Sequence, residues 1–137
     1  MRTLVFFVVI IAIAGPLLFF TQCKSESQCM VPEGHWTNRE GQEMIFLTGN
    51  KALWLTEFGS QNDTDYFDYR LDCNTEVPVL DFNGFQSGPF TGKTLFGIFE
   101  WTSDTSFRLR YEAGTQPDAR PKAFDNEQTM RFFRLAK

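Results

Sequence analysis

The chain has 137 residues, with 13 Lys and Arg against 17 Asp and Glu and a formal charge of −4. That length holds one ordinary domain and hardly two. Hydrophobic residues make up 42%, aromatics 16% and charged residues 22%, a composition that folds and does not stay disordered. The acidic balance argues against a protein that grips nucleic-acid phosphate through a basic face.

The first element is an export segment. Met1, Arg2 and Thr3 form a minimal positive start, residues 4–20 are an unbroken apolar or small run, and Lys24, Ser25, Glu26, Ser27 and Gln28 are polar. A cation followed by an apolar stretch is what the secretion machinery reads, so residues 1–23 stand apart from fold reasoning as a signal peptide or membrane anchor. Three fates compete. Cys23 is lipidated after cleavage, since the run Leu17-Leu18-Phe19-Phe20-Thr21-Gln22-Cys23 resembles a bacterial lipoprotein cleavage box, although Gln22 stands where that family has a small residue. Alternatively, the helix stays as an uncleaved anchor at the lower length limit for a span, kinked at Gly15-Pro16. In the third, cleavage follows Ala12-Ile13-Ala14. The first two tether the domain to a membrane on the non-cytoplasmic side, with Arg2 favouring an inside N-terminus.

Residues 24–33 read as a linker, and residues 34–137 as the folded domain. Short alternating runs between turn residues dominate, the mark of an all-β fold. A short strand is expected at 35–38. Strands at 43–48 and 52–58 flank Gly49-Asn50-Lys51, a hairpin turn with residue types suited to positive φ. After a turn at 59–63, residues 65–73 alternate, with Phe67, Tyr69, Leu71 and Cys73 on one face. A strand at 78–82 leads into a long loop at 83–93. The strand at 94–102 carries Leu95, Gly97, Phe99 and Trp101 on one side, and 107–112 sets Phe107, Leu109 and Tyr111 against Arg108, Arg110 and Glu112. Residues 113–126 are irregular, and 128–135 form the last strand. Eight sequential antiparallel strands favour a closed barrel, which leaves no free edge; a sandwich of the same strands is the alternative.

The three cysteines are Cys23, Cys29 and Cys73. With Cys23 lipidated or removed, Cys29 and Cys73 remain as one disulfide in an oxidising compartment, or as two buried thiols. No metal site is expected: there is no C-x-x-C, and His35 is the single histidine. His35 also lacks a neighbouring nucleophile or paired acid, so no catalytic residue is assigned. Asp63, Asp65, Asp68 and Asp72 lack the spacing of a calcium loop.

Gly34-His35-Trp36 resembles the G-x-W motif of lipocalins and fatty-acid-binding proteins, although Pro32 stands where the longer lipocalin form carries Asn. The resemblance implies that Trp36 plugs the closed end of a barrel beneath an arginine from the last strand, Arg131 or Arg134. The order Gly97-Ile98-Phe99-Glu100-Trp101, Asp104-Thr105, Arg120-Pro121-Lys122-Ala123-Phe124 and a final strand is similar to lipocalin-like domains of unknown function numerous in planctomycetes. Asp68-Tyr69-Arg70-Leu71-Asp72 followed by residues 78–82 also resembles their central segment. This resemblance covers roughly residues 33–135 and implies a small eight-stranded antiparallel lipocalin-like barrel; it implies no activity and no cofactor.

Trp54, Phe67, Tyr69, Phe99, Trp101, Phe107 and Tyr111 are the expected barrel lining. An eight-stranded barrel is just wide enough to be filled by side chains or to hold one small ligand, and large aromatics on facing strands favour filling. In the opposite register Arg108 and Arg110 would point inward and demand an acidic ligand. The resulting expectation is an exported, membrane-tethered, non-enzymatic binding protein, with a small apolar ligand in the barrel. The alternative is a solid-core envelope module that docks a protein partner through residues 83–93 and 113–126.

Overall fold

The computed structural model describes residues 29–58 and 61–136. The expected leader, its Cys23 and the first part of the linker lie outside the described residues.

The alternation of apolar and polar residues becomes eight strands: β1 (Gly34–Thr37), β2 (Gln42–Phe46), β3 (Lys51–Phe58), β4 (Gln61–Asp72), β5 (Val79–Asn83), β6 (Thr94–Ser103), β7 (Ser106–Gly114) and β8 (Met130–Arg134). Each pairs antiparallel with the next, and β8 returns to β1 through Trp36↔Arg134 and Thr37↔Phe133, so the sheet closes into a barrel. Closure removes the edges that a sandwich would leave open, and the sandwich alternative falls. Residues 61–63, expected in a turn, instead extend β4: Asn62 pairs with Glu57, and Asp63 with Thr56. Cross-strand pairing there overrides a polar, turn-like composition. The β2–β3 hairpin turns at Gly49 and Asn50, both at positive φ (73° and 60°), a geometry these two residue types adopt at little cost.

Side chains on one face of every strand meet in a single core. Trp36, Met44, Phe46, Ala52, Trp54, Phe67, Tyr69, Leu80, Phe82, Leu95, Phe99, Phe107, Leu109 and Phe132 are buried together. The rings pack mostly edge to face, as at Trp36–Phe107 (4.9 Å) and Phe67–Phe82 (5.0 Å), the arrangement that ring quadrupoles favour. Arg108 and Arg110 lie on the outer face, so the inverted register is overturned. Arg108 pairs with Glu100 and covers Phe124, and Arg110 pairs with Asp125 at 2.7 Å.

β6 is buried on both faces in its middle. Phe96 and Ile98 point away from the core and are still nearly inaccessible, because the β7–β8 connection folds back over them. That connection contains a short 3₁₀ turn (Pro117–Ala119) and the buried Pro121. Arg120 fastens it: Nη1 donates to Asp81 Oδ1 (2.5 Å) and to the Gly97 carbonyl (2.7 Å), Nη2 donates to Asp81 Oδ2 (2.9 Å), and the guanidinium lies 5.5 Å from the Phe96 ring centre. At the same point β5 and β6 approach so closely that a Cβ on Gly97 would sit 2.3 Å from the Leu80 carbonyl oxygen. Only glycine fits there.

One end of the barrel is sealed by residues 29–33, which fall in the segment expected as a linker. Cys29 is bonded to Cys73, 44 positions along the chain. Closing a loop of that size contributes about 4 kcal/mol on the chain-entropy model. Trp36 Nε1 donates to the Pro32 carbonyl (2.7 Å) and Trp101 Nε1 to the Met30 carbonyl (3.1 Å), so both indoles hold this strap while packing against the core.

Candidate functional site

The opposite end is crossed by residues 83–93, the connection from β5 to β6. Two phenylalanines of this loop turn inward. Phe85 is buried and stacks on Phe67, with ring centres 5.1 Å apart. Phe90 lies against Phe85 at 5.5 Å and parallel to the Trp54 indole at 6.5 Å. The loop reaches inward because its turns are glycine turns. Gly88 has φ 76°, and a Cβ there would lie 3.3 Å from Asp65 Oδ1, the atom that also accepts from Ser87 Oγ at 3.2 Å.

Trp54 is the polar anomaly of this end. It comes from β3, is 4% exposed, and its Nε1 is buried with no hydrogen-bond partner among the described residues. An unpaired buried donor costs on the order of 1–3 kcal/mol; the other such side-chain atom among the described residues, Arg110 Nε, lies on the outer face. Tyr111 of β7 meets the indole edge to face at 5.5 Å. Burial, and secondarily the charge of Glu112, push its hydroxyl pKa up to about 12. An N–H donor, a neutral hydroxyl and three aromatic faces therefore converge beneath a loop. Together they match a flat, apolar ligand carrying one hydrogen-bond acceptor.

The other expected lining residues lie deeper or at the sealed end. Tyr69 donates its hydroxyl to the Leu47 carbonyl (3.2 Å), and burial followed by the Glu33 charge raises its pKa above the ordinary tyrosine value. Phe99 and Phe107 are fully buried, and Trp101 packs on both of them. The structure thus gathers Trp54, Phe67 and Tyr111 at the loop-covered end, and places Phe99, Trp101 and Phe107 around Trp36.

At the plug, Arg134 stacks over Trp36, its guanidinium carbon 4.4 Å from the ring centre, and Nη1 donates to the Glu33 carbonyl (3.3 Å). Arg131 does not share this role. Strand alternation puts it one residue out of phase with Arg134, on the outer face opposite Arg108. His35 is also on the outer face, with Nε2 2.6 Å from Glu43 across the β1–β2 ladder, a carboxylate partner that residue order alone did not reveal. The four aspartates have separate partners: Asp63 accepts from the Thr64 backbone, Asp65 from Ser87, Asp68 pairs with Lys51, and Asp72 accepts from Arg70 and the Asn74 backbone.

Sequence reasoning missed Phe85 and Phe90, which it left in a long loop. The available signal was their chemistry, since two large aromatic side chains between glycines are more apolar than a free loop requires. It also missed the Asp81–Arg120 clasp, whose partners are 39 positions apart and carry no local pattern. The chain matches no protein-family model, no curated protein and no solved structure.

Proposed function

We propose that this chain is an exported, lipocalin-like binding protein, tethered to a membrane by its N-terminal segment, and that it is not an enzyme. In this reading the barrel takes a small, flat, apolar ligand with a hydrogen-bond acceptor at the end covered by residues 83–93. The carrying observation is the orphaned Trp54 Nε1, buried beneath Phe90. Phe90 occupies the stacking position that a planar ligand would take, and a ligand carbonyl accepting from Trp54 would recover the cost of the unpaired donor. Catalysis has less support. The chemistry-bearing side chains at hand are paired with one another, His35 with Glu43, Arg108 with Glu100 and Arg120 with Asp81.

The test uses the full chain, naphthoquinone as a planar carbonyl probe and palmitate as a flexible one, followed by native mass spectrometry and tryptophan fluorescence. Naphthoquinone binds, Phe90→Ala strengthens binding by vacating the stacked position, and Trp54→Phe weakens it by about tenfold. Failure of both probes to bind, or equal binding by Trp54→Phe, refutes the reading. A second reading, the solid-core envelope module, draws support from the filled interior. It predicts no uptake of either probe and loss of a protein partner when residues 84–92 are replaced by a short glycine linker.

A further inference from the structure

The outer surface carries a further feature, with the core residues Ala52 and Phe67 at its floor. A groove of about 490 Å³ lies beside the β3–β4 ladder and the start of the 83–93 loop, a volume in the range of small-molecule sites. Its wall on β4 is Tyr66, which pairs with Leu53 across the ladder and remains 59% exposed. No other ring packs on Tyr66 among the described residues, so a broad aromatic surface faces solvent. Leu47 adds a second exposed apolar side chain.

The polar part of the lining is mixed. Lys51 and Asp68 sit directly across the ladder from each other and form an ion pair, both partly exposed. Gln86 is exposed and brings an amide that both donates and accepts. Gly84, at φ 72°, presents bare backbone, with room for a Cβ only 3.2 Å from Asp68 Oδ2.

These features select by elimination. An anion meets Asp68 and a cation meets Lys51, and because the two are paired the groove has no net charge with which to attract either. A pure hydrocarbon would cover Lys51, Asp68 and Gln86 without replacing their hydrogen bonds with water, which is unfavourable. What fits is a neutral molecule with one apolar face and a rim of groups that each donate and accept. A pyranose ring has that form: its C–H face lies on an aromatic ring while its hydroxyls meet carboxylate, ammonium and amide.

We infer that the Tyr66 groove is a saccharide-binding site, centred on the outer face of the β3–β4 ladder. Tyr66 supplies the platform, Asp68 accepts, Lys51 donates, and Gln86 does both. The groove floor shares Phe67 with the loop-covered end of the barrel, whereas Trp54 and Phe90 do not line it, so the Trp54→Phe variant separates the two sites.

The experiment titrates cellohexaose, chitohexaose and maltohexaose into the full chain by calorimetry, with inorganic phosphate as the ionic comparison. At least one oligosaccharide binds with a Kd below about a millimolar. Tyr66→Ala weakens that binding by about tenfold or more, Tyr66→Phe keeps it within about threefold because the ring remains, and Trp54→Phe leaves it unchanged. Near-UV circular dichroism confirms that each variant keeps its fold, as expected for so exposed a position. The inference is overturned if none of the three oligosaccharides binds up to about 10 mM, if Tyr66→Ala binds as the parent does, or if phosphate displaces the sugar.

Discussion

Replacing Arg120 by alanine tests whether the β7–β8 connection is held on the barrel by one charged clasp. The side chains of Arg120 and Asp81 are only 21% and 14% exposed, and three hydrogen bonds from the guanidinium end on Asp81 and the Gly97 carbonyl. Removing one partner of a buried pair costs about 3–5 kcal/mol, mostly because the other charge is stranded. Partial exposure lowers that figure, and Asp81 keeps the Gly97 N–H bond at 3.2 Å. Loss of the contact with Phe96 adds about 0.5–1 kcal/mol, so the expected cost is about 3 kcal/mol. Urea unfolding of the full chain reads this as a lower midpoint at unchanged slope, a shift of roughly 2 M for a chain of this size. Because the cost comes from a stranded carboxylate, the double variant Asp81→Leu with Arg120→Met should be less destabilised than Arg120→Ala alone. A loss below about 1 kcal/mol, or a double variant worse than the sum of the single ones, would refute the argument.

Gly97→Ala places a methyl group 2.3 Å from the Leu80 carbonyl oxygen, and backbone must move to admit it. The expected loss is about 3 kcal/mol, lowering the thermal midpoint by roughly 10 °C or more; an unchanged midpoint in calorimetry would mean that β5 yields freely. Tyr111 gives a pH dependence. Burial lifts its hydroxyl pKa from the ordinary 10.0 to about 12 in the folded chain, so between those values the unfolded chain has lost a proton that the native one keeps. Stability is therefore flat up to about pH 10 and falls by up to about 3 kcal/mol as pH rises to about 12. Tyr69, raised in the same direction, adds to the decline. Tyr111→Phe should flatten most of the slope in a pH series of urea midpoints, and an unchanged slope would count against the burial of that hydroxyl.

Much of the fold was readable because strand alternation is a local code. In β7, Phe107, Leu109 and Tyr111 against Arg108, Arg110 and Glu112 state which face turns inward without knowledge of any other strand. The candidate site was only half readable for the same reason. Trp54, Phe67 and Tyr111 announce themselves by position on alternating strands, whereas Phe85 and Phe90 belong to a loop that has no periodicity. The two plug candidates illustrate the limit. Arg131 and Arg134 are equally basic and near in sequence, and which one reaches Trp36 depends on the phase of β8 relative to β1.

The residue order alone determined an all-β domain and the inward faces of its strands, since these follow from side-chain period and composition. Closure of β1 on β8, the burial of Phe96 and Ile98 beneath the β7–β8 connection, the clasp of Arg120 on Asp81 and the unpaired Trp54 Nε1 were decided only in three dimensions. Each of them depends on groups far apart in the chain meeting at a distance of a few ångströms. No local pattern encodes such a meeting; it results when the whole sheet closes and every loop settles over the apolar surface left uncovered.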